Sequence, residues 1–513
     1  MEPDTLIKKT AVYLSMLTLS LPLVSHAEAL QWPSCAQHSA DDRTQLQAFY
    51  LPLNHQPQWL APQQQQALAD QLTALADDAL NPEHYPLPST APQGLDCHEL
   101  DFSRQYLRAL THLYQGRLAQ AELEPIWSNN PPEASSLNQQ LLQLARQHLG
   151  DLNAAFAAAR PSTAQYQALR QHYAKHRQQP LAEWPSVAAG ALLRPNSHDA
   201  RVPQLRARLS ASGHLAAEPS SIPEHYDLPL LQAVERFQSE HGLSPDGLIG
   251  PATLRALNIH PRQQREQLQV ALERLRWLRH WLEPNGLLIN VAAAELHLYQ
   301  DGQPVWQTRT QVGRPERPTP LLKSRLSRLT LNPSWTIPPT ILKKDKLPKI
   351  RADLAYLEQE GLQVLDFQGQ VLDPHTIDWQ RPGGIMLRQP PGPKNPLGHL
   401  ALRFANPFSV YLHDTPSQNL FSKSPRTFSS GCVRIEAVDR LAEHLLSEAE
   451  LARVQTLIAA GDTYEYRLNG HIPLLMAYWT VEIDAQQHVI WYPDSYGHDA
   501  KILRALKAVR AVN

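Results

Sequence analysis

The chain has 513 residues, room for roughly three domains at ~150 residues each, and its 47 Lys+Arg against 49 Asp+Glu leave a formal net charge of −2. That balance excludes the basic footprint of a nucleic-acid binder and offers no attraction to an anionic membrane. Its 44 prolines exceed the ~5% of an average chain and predict long, braced loops.

Lys8 and Lys9 precede an apolar run, Ala11 to Val24, and then Ser25-His26-Ala27. This order of charged, apolar and small residues predicts a secretory signal peptide at 1–27, cleaved after Ala27, and export to the periplasm. Left uncleaved, the run would act as an inner-membrane anchor. Its 14 residues, interrupted by Pro22, are fewer than the ~18 of a spanning helix. Three cysteines occur, at 35, 97 and 432. Export permits a Cys35–Cys97 disulfide with Cys432 as the odd thiol, and equally permits two buried free thiols at 35 and 97.

From 28 to 195 the pattern is helical, with stripes at Leu68, Leu72 and Leu75, at Tyr106, Leu107, Leu110 and Leu113, and at Leu137, Leu141 and Leu144. His172 and His176 share the i, i+4 spacing of a metal pair. Lys175 lies between them and no third ligand follows, so a solvated helix face and no metal is predicted. A compact helical unit follows at 196–258, where Gly242 stops one helix and Pro251 opens another. Its run Val234-x-x-Phe237-Gln238-x-x-x-Gly242-Leu243-x-x-Asp246-Gly247-x-Ile249-Gly250 is similar to a peptidoglycan-binding type 1 domain. Residues 259–285 predict a linker helix.

From 286 the period changes to two. Leu287–Val291, Glu295–Tyr299 and Val305–Arg309 predict strands. Thr340 to Val364 turns helix-prone and Lys-rich, Gly384–Gln389 resumes a β pattern, and Phe408, Val410 and Leu412 alternate into His413. A polar loop then leads to Phe428-Ser-Ser-Gly-Cys432-Val-Arg434, with Cys432 19 positions after His413. Val438, Leu441, Ala442, Leu445 and Leu446 predict a helix next. Cys432 is therefore expected on a Gly-bearing turn just before a helix N-terminus, whose partial positive charge favours a thiolate. An imidazole nearby would take the thiol proton. On local chemistry alone, Cys432 also reads as a small buried hydrophobe and His413 as a structural hydrogen-bonder. Tyr464–Leu468, Leu474–Ile483 and His488–Tyr492 predict the last strands.

His413-x-Thr415 followed by Ser430-Gly-Cys432-Val-Arg434 resembles the signature of the L,D-transpeptidase (YkuD-like) catalytic domain. The runs Val312–Pro320 and Leu331–Pro339 match further blocks of that family, the second typical of its large periplasmic subgroup. More loosely, Phe49-Tyr50…Gln56-Pro-Gln-Trp59 and Leu113-Tyr-Gln-Gly-Arg117 resemble that subgroup's scaffold region. The resemblance implies a multidomain fold. A mainly helical N-terminal scaffold and a small helical peptidoglycan-binding domain would precede a mostly β, β-sandwich-like catalytic domain with a helical capping insertion. The catalytic domain is expected at 286–468, with the cap at 340–380, and 469–513 would complete it.

By the same resemblance Cys432 is the nucleophile, His413 the general base and then acid, and the backbone carbonyl of Asp414 the orienter of His413. Backbone N–H groups of Ser430, Gly431 and Cys432 would face the oxyanion, and Tyr411 would line that pocket or position substrate. Many relatives carry His where this chain has Ser430, which leaves His413 the only motif histidine. Arg434 either binds a substrate carboxylate or braces the turn. Trp335 and Arg388 are candidates for the substrate groove, Trp335 equally for the core. The implied donor is a tetrapeptide stem of peptidoglycan, joined 3→3 to a second stem with release of D-alanine. Carbapenems are the implied inhibitors, no cofactor is implied, and no protein partner is named. Two enzymatic alternatives share the donor step: an L,D-carboxypeptidase, and a transpeptidase attaching a protein lysine to the wall. A non-catalytic wall-binding scaffold is the third.

Overall fold

A computed structural model describes residues 32–508 apart from 36, 182 and 217–221; the predicted signal peptide lies outside the described residues. The N-terminal stripes close into one core. Helices Ala40–Tyr50, Pro62–Ala74, Cys97–Gln115, Ala134–Gln147 and Leu152–Ala159 bury Phe49, Trp59, Leu68, Tyr106, Leu110 and Phe156 together. Side-chain caps from Ser39, Asp96 and Asp151 satisfy free N–H groups at three of these helix starts. Cys35 and Cys97 form a disulfide with Cα atoms 5.6 Å apart, pinning the chain entry to the third of these helices.

The next unit packs helices Val202–Ala211, Leu228–Glu240 and Pro251–Leu257 around Val202, Tyr226, Val234, Phe237 and Ile249. Its turn needs glycine at 247, where φ is +68° and a Cβ would fall 2.1 Å from Leu231. Gln238 closes the turn by accepting from the Gly247 N–H and donating to the Asp246 carboxylate and the Leu248 carbonyl.

The β region is one curled sheet. Strands β1 (Gly286–Asn290), β2 (Glu295–Gln300), β3 (Gln303–Gly313) and β4 (Leu322–Leu331) precede the cap strands β5 (Trp335–Thr336), β6 (Gln363–Leu365) and β7 (Met386–Gln389). After them come β8 (Leu400–Phe404), β9 (Leu412–His413), β10 (Thr427–Ser429), β11 (Val433–Ile435) and β12 (Tyr464–Ala477), then β13 (Val481–Ile483) and β14 (Val489–Trp491). The large sheet runs β10-β3-β11-β9-β8-β4-β12-β1-β2, and β2 also pairs with the first half of β3, so the sheet folds back on itself. Ile289, Leu296, Leu326, Leu329, Leu402, Leu412, Val433 and Ile435 fill its interior.

Two expectations change. Residues 384–389 do not rejoin the large sheet: β7 pairs with β5 and β6, and Ile385 and Leu387 pack on Ile337, Ile350 and Val364. The cap is thus a small sheet with helices, drawing on residues outside 340–380. The predicted strand at 474–483 breaks at Tyr478–Thr480. β12 joins the large sheet, but β13 and β14 form a separate hairpin, and Val481, Val489 and Trp491 pack on Leu268, Leu272, Tyr166 and Leu169.

The linker helix, Pro261–Leu278, lies within the predicted 259–285 and joins the units on either side of it. Every residue from Val270 to Arg274 is buried, so the helix is enclosed on all sides. Arg274 pairs with Glu124 of the scaffold at 2.9 Å and with Asp499 of the C-terminal helix. Arg276 pairs with Glu273 at 2.7 Å and donates to the Asp78 carbonyl. Removing Arg274 strands two buried carboxylates. Arg274→Ala should lower stability in denaturant by about 3–5 kcal/mol, and a loss below about 1 kcal/mol, the range of an exposed pair, would show that this helix is not the junction described.

Candidate active site

Strands β9 and β11 are neighbours and run parallel, with Leu412 opposite Val433 and His413 opposite Arg434. Side chains alternate along a strand. Tyr411, His413, Cys432 and Arg434 therefore share one face, although 19 positions separate His413 from Cys432. The Val433 N–H donates to the Tyr411 carbonyl at 3.2 Å, and the Tyr411 ring lies 5.5 Å from the His413 ring.

His413 is 2% exposed, and its Nδ1 lies 2.5 Å from the Asp414 carbonyl. A carbonyl only accepts, so Nδ1 carries the proton and Nε2 keeps the lone pair a base requires. Burial, helped by the Arg434 charge, pushes the imidazole down to about 3 and keeps it neutral. Cys432 is half-buried and not in a disulfide. Burial pushes its thiol up, opposed by the Tyr411 N–H and the guanidinium charges of Arg403 and Arg434. The resting pair is thus a thiol beside a neutral imidazole. The expected helix N-terminus does not supply a thiolate here, because β11 intervenes and the helix starts only at Val438.

The cysteine turn is braced from below. Gly431 has φ +118°, a conformation that favours glycine. Its N–H donates to Ser429 Oγ at 3.1 Å and is therefore not free for an oxyanion. The N–H groups of Ser430 and Cys432 make no hydrogen bond among the described residues. Thr319 Oγ1 donates to the Gly431 carbonyl and accepts from the Gly313 N–H, both at 2.9 Å. Tyr496 adds a second tie, donating to the Gly313 carbonyl at 2.6 Å. Arg317 donates to Ser430 Oγ at 3.0 Å and grips Asp345 of the cap with two bonds of 2.6 and 2.8 Å. The cap is thereby fastened to the cysteine turn, two residues before Cys432.

Arg434 donates to Gln311 Oε1 at 3.1 Å, which braces β11 against β3, while its buried Nε has no partner. Trp335 and Arg388 both sit in the cap sheet, opposite Gln389 and Thr336. Trp335 packs against the cap core with Lys346 Nζ 5.7 Å from its ring, and Arg388 Nε donates to Thr336 Oγ1 at 3.3 Å. No hydrogen bond, ion pair or ring contact among the described residues joins either to His413 or Cys432. Two neighbours of the pair carried no sequence signal. Arg403 on β8 lies 3.8 Å over the Tyr411 ring and is anchored through Nε to Thr330 Oγ1 at 3.0 Å. His399 grips the Asp414 carboxylate at 2.8 Å. His172 and His176 stand with rings 6.1 Å apart, and no cluster of three or more metal-ligating side chains occurs among the described residues.

A half-buried thiol and a buried neutral imidazole thus lie on one face of adjacent strands of the β domain. Residues 284–458 match the YkuD family, described as the L,D-transpeptidase catalytic domain. Residues 44–172 match a scaffold domain, and 198–257 a domain described as "Putative peptidoglycan binding domain". Three stretches of the chain are thus similar, in order, to a scaffold, a peptidoglycan-binding and an L,D-transpeptidase catalytic domain. A Haemophilus influenzae protein named "Putative L,D-transpeptidase" is 34% identical over 242 residues, which are 46% of this chain and 49% of that protein. The match thus spans about half the length of that relative. An L,D-transpeptidase structure from Mycobacterium smegmatis is 15% identical, with 37% of this chain and 57% of that one covered, at a TM-score of 0.17. One from Stackebrandtia nassauensis is 12% identical, with 57% and 97% covered, at 0.21. At such scores neither structure informs the site.

Only the thiolate alkylates readily, and burial disfavours it. Alkylation of Cys432 by iodoacetamide should therefore be slow at pH 7 and rise through an inflection above the ordinary thiol value of ~8.5. An inflection below pH 7 would instead reveal a preformed thiolate–imidazolium pair.

Proposed function

We propose that the chain is a peptidoglycan L,D-transpeptidase that forms 3→3 cross-links through a thioester on Cys432, working in the periplasm. The observation that carries this reading is the placement of Cys432 and His413 on one face of adjacent strands within the matched catalytic domain. His413 Nε2 takes the thiol proton as sulfur attacks the carbonyl of the third residue of a tetrapeptide stem. The Ser430 and Cys432 N–H groups are the donors available to the oxyanion. Collapse of the tetrahedral intermediate breaks the peptide bond, and the leaving D-alanine nitrogen takes the proton from His413. The side-chain amine of a second stem then attacks the thioester. It gives a proton to His413, which returns it to sulfur as the new amide forms. Water in place of that amine would yield a trimmed tripeptide, and a protein lysine a wall-linked protein.

In this reading the imidazole is neutral near neutral pH and free to accept a proton, but burial weakens it as a base, so the proton moves only as sulfur attacks. Arg403 and Arg434 set positive charge beside a substrate rich in carboxylates. The unit at 198–257 would hold the enzyme to its polymeric substrate. No helix among the described residues is long and apolar enough to cross a membrane.

Incubation with a disaccharide-tetrapeptide should yield a 3→3 dimer and free D-alanine. Cys432→Ala should yield neither, and His413→Ala should form dimer at least ~100-fold more slowly. Tripeptide as the sole product would replace the proposal with a carboxypeptidase. Dimer from Cys432→Ala would remove Cys432 from the mechanism.

A further inference from the structure

Asp414 serves two histidines at once. Its backbone carbonyl accepts from His413 Nδ1 at 2.5 Å, while its carboxylate takes His399 Nδ1 at 2.8 Å and the His399 backbone N–H at 3.2 Å. The other ring nitrogen of His399, Nε2, lies 2.7 Å from Asp439 Oδ1. Asp439 is in the first turn of the helix Val438–Leu445, which follows the cysteine strand. An imidazole flanked by carboxylate oxygens on both nitrogens satisfies them only by donating from both, as the imidazolium does. The two carboxylates raise its pKa to about 10, so the cation persists at neutral pH. Gly398 makes room for the grip. Its φ is +62°, and a Cβ there would fall 1.9 Å from Asp414 Oδ2. The Asp414 N–H is tied to the Leu400 carbonyl at 2.9 Å. The residue whose carbonyl orients His413 is therefore held at its own N–H and at its side chain, and the second anchor is His399.

We infer that His399, as an imidazolium bridging Asp414 to Asp439, is a positioning residue that fixes the Asp414 carbonyl and through it the tautomer and direction of His413. It links the histidine strand to the helix behind the cysteine, so both halves of the site share one ionic tie. Asp414 and Asp439 do not contribute equally. The Asp414 side chain is 13% exposed and the Asp439 side chain 69%, so water screens the outer pair and the inner one dominates. The role in rate rests on the acyl transfer proposed above; the role in tautomer does not.

Two readouts on the full chain separate these. In ¹⁵N-imidazole NMR, with His413 assigned by the signal lost in His413→Gln, the wild type should show a neutral ring protonated at Nδ1. His399→Ala should show mixed tautomers, and its acyl-enzyme formation with a tetrapeptide stem should fall about tenfold, the scale of a misplaced reacting group. His399→Arg, which keeps a cation and two donors, should restore both, and Asp439→Asn should cost less than threefold. His399→Gln, neutral and similar in size, stands in if the alanine variant does not fold. An unchanged His413 tautomer in the neutral variants would overturn the inference, as would a loss that His399→Arg does not rescue. A wild type with the Nδ1 tautomer but no acyl-enzyme would sink the proposed reaction and leave the positioning role standing.

Discussion

The parallel pairing of β9 with β11 is the constraint on which the site depends. It brings a histidine and a cysteine from separate stretches of chain onto one face, a two-residue strand beside a three-residue one. Strands so short cannot hold register alone. They are held by β8 on one side and β3 on the other, with Leu402, Leu412, Val433 and Ile435 in the core beneath. Burial on that scale sets the electrostatics of the pair. It keeps the imidazole neutral, raises the thiol, and leaves the nearby guanidinium charges to favour the thiolate once the proton moves. The arrangement suits proton transfer during attack better than a standing ion pair.

The surrounding units are tied to this face through specific contacts. Arg317 connects the cap, through Asp345, to Ser430 in the cysteine turn. On another side, the turn of the 198–257 unit meets the loop between β9 and β10: Ser244 Oγ donates to the Ser422 carbonyl at 2.8 Å, and Ser424 Oγ to the Gly242 carbonyl at 2.5 Å. The same glycine lies against the segment after β14, where a Cβ would fall 2.6 Å from the Tyr492 ring. The linker helix carries the remaining load, with buried arginines pairing to carboxylates of the scaffold and the C-terminal helix.

Local pattern made much of this legible. The helical stripes, the strands from 286 onward and the glycine turns follow from periodicity and turn chemistry, and the mostly β catalytic region behind helical domains is as expected. The motif singled out Cys432 and His413. Pattern could not say which sheet a strand would join, so 384–389 reads as a β segment without revealing that it belongs to the cap. Val433–Ile435 is too short to register as a strand, which moved the helix up to the cysteine in the reading. Arg274 carries no local sign of its burial, because its partners lie 150 and 225 positions away. His399 and Arg403 escaped for the same reason: their roles come from β8 lying beside β9, a tertiary fact with no local trace.

The central claim is a covalent acyl-enzyme on Cys432. Intact mass of the purified protein and of Cys432→Ala, each after incubation with a disaccharide-tetrapeptide, tests it most directly. The account predicts one adduct, equal to the donor less D-alanine, on the wild type and none on the variant. A folded wild type with its Cys432 thiol reduced that gains no mass, or an adduct that survives in Cys432→Ala, would contradict it.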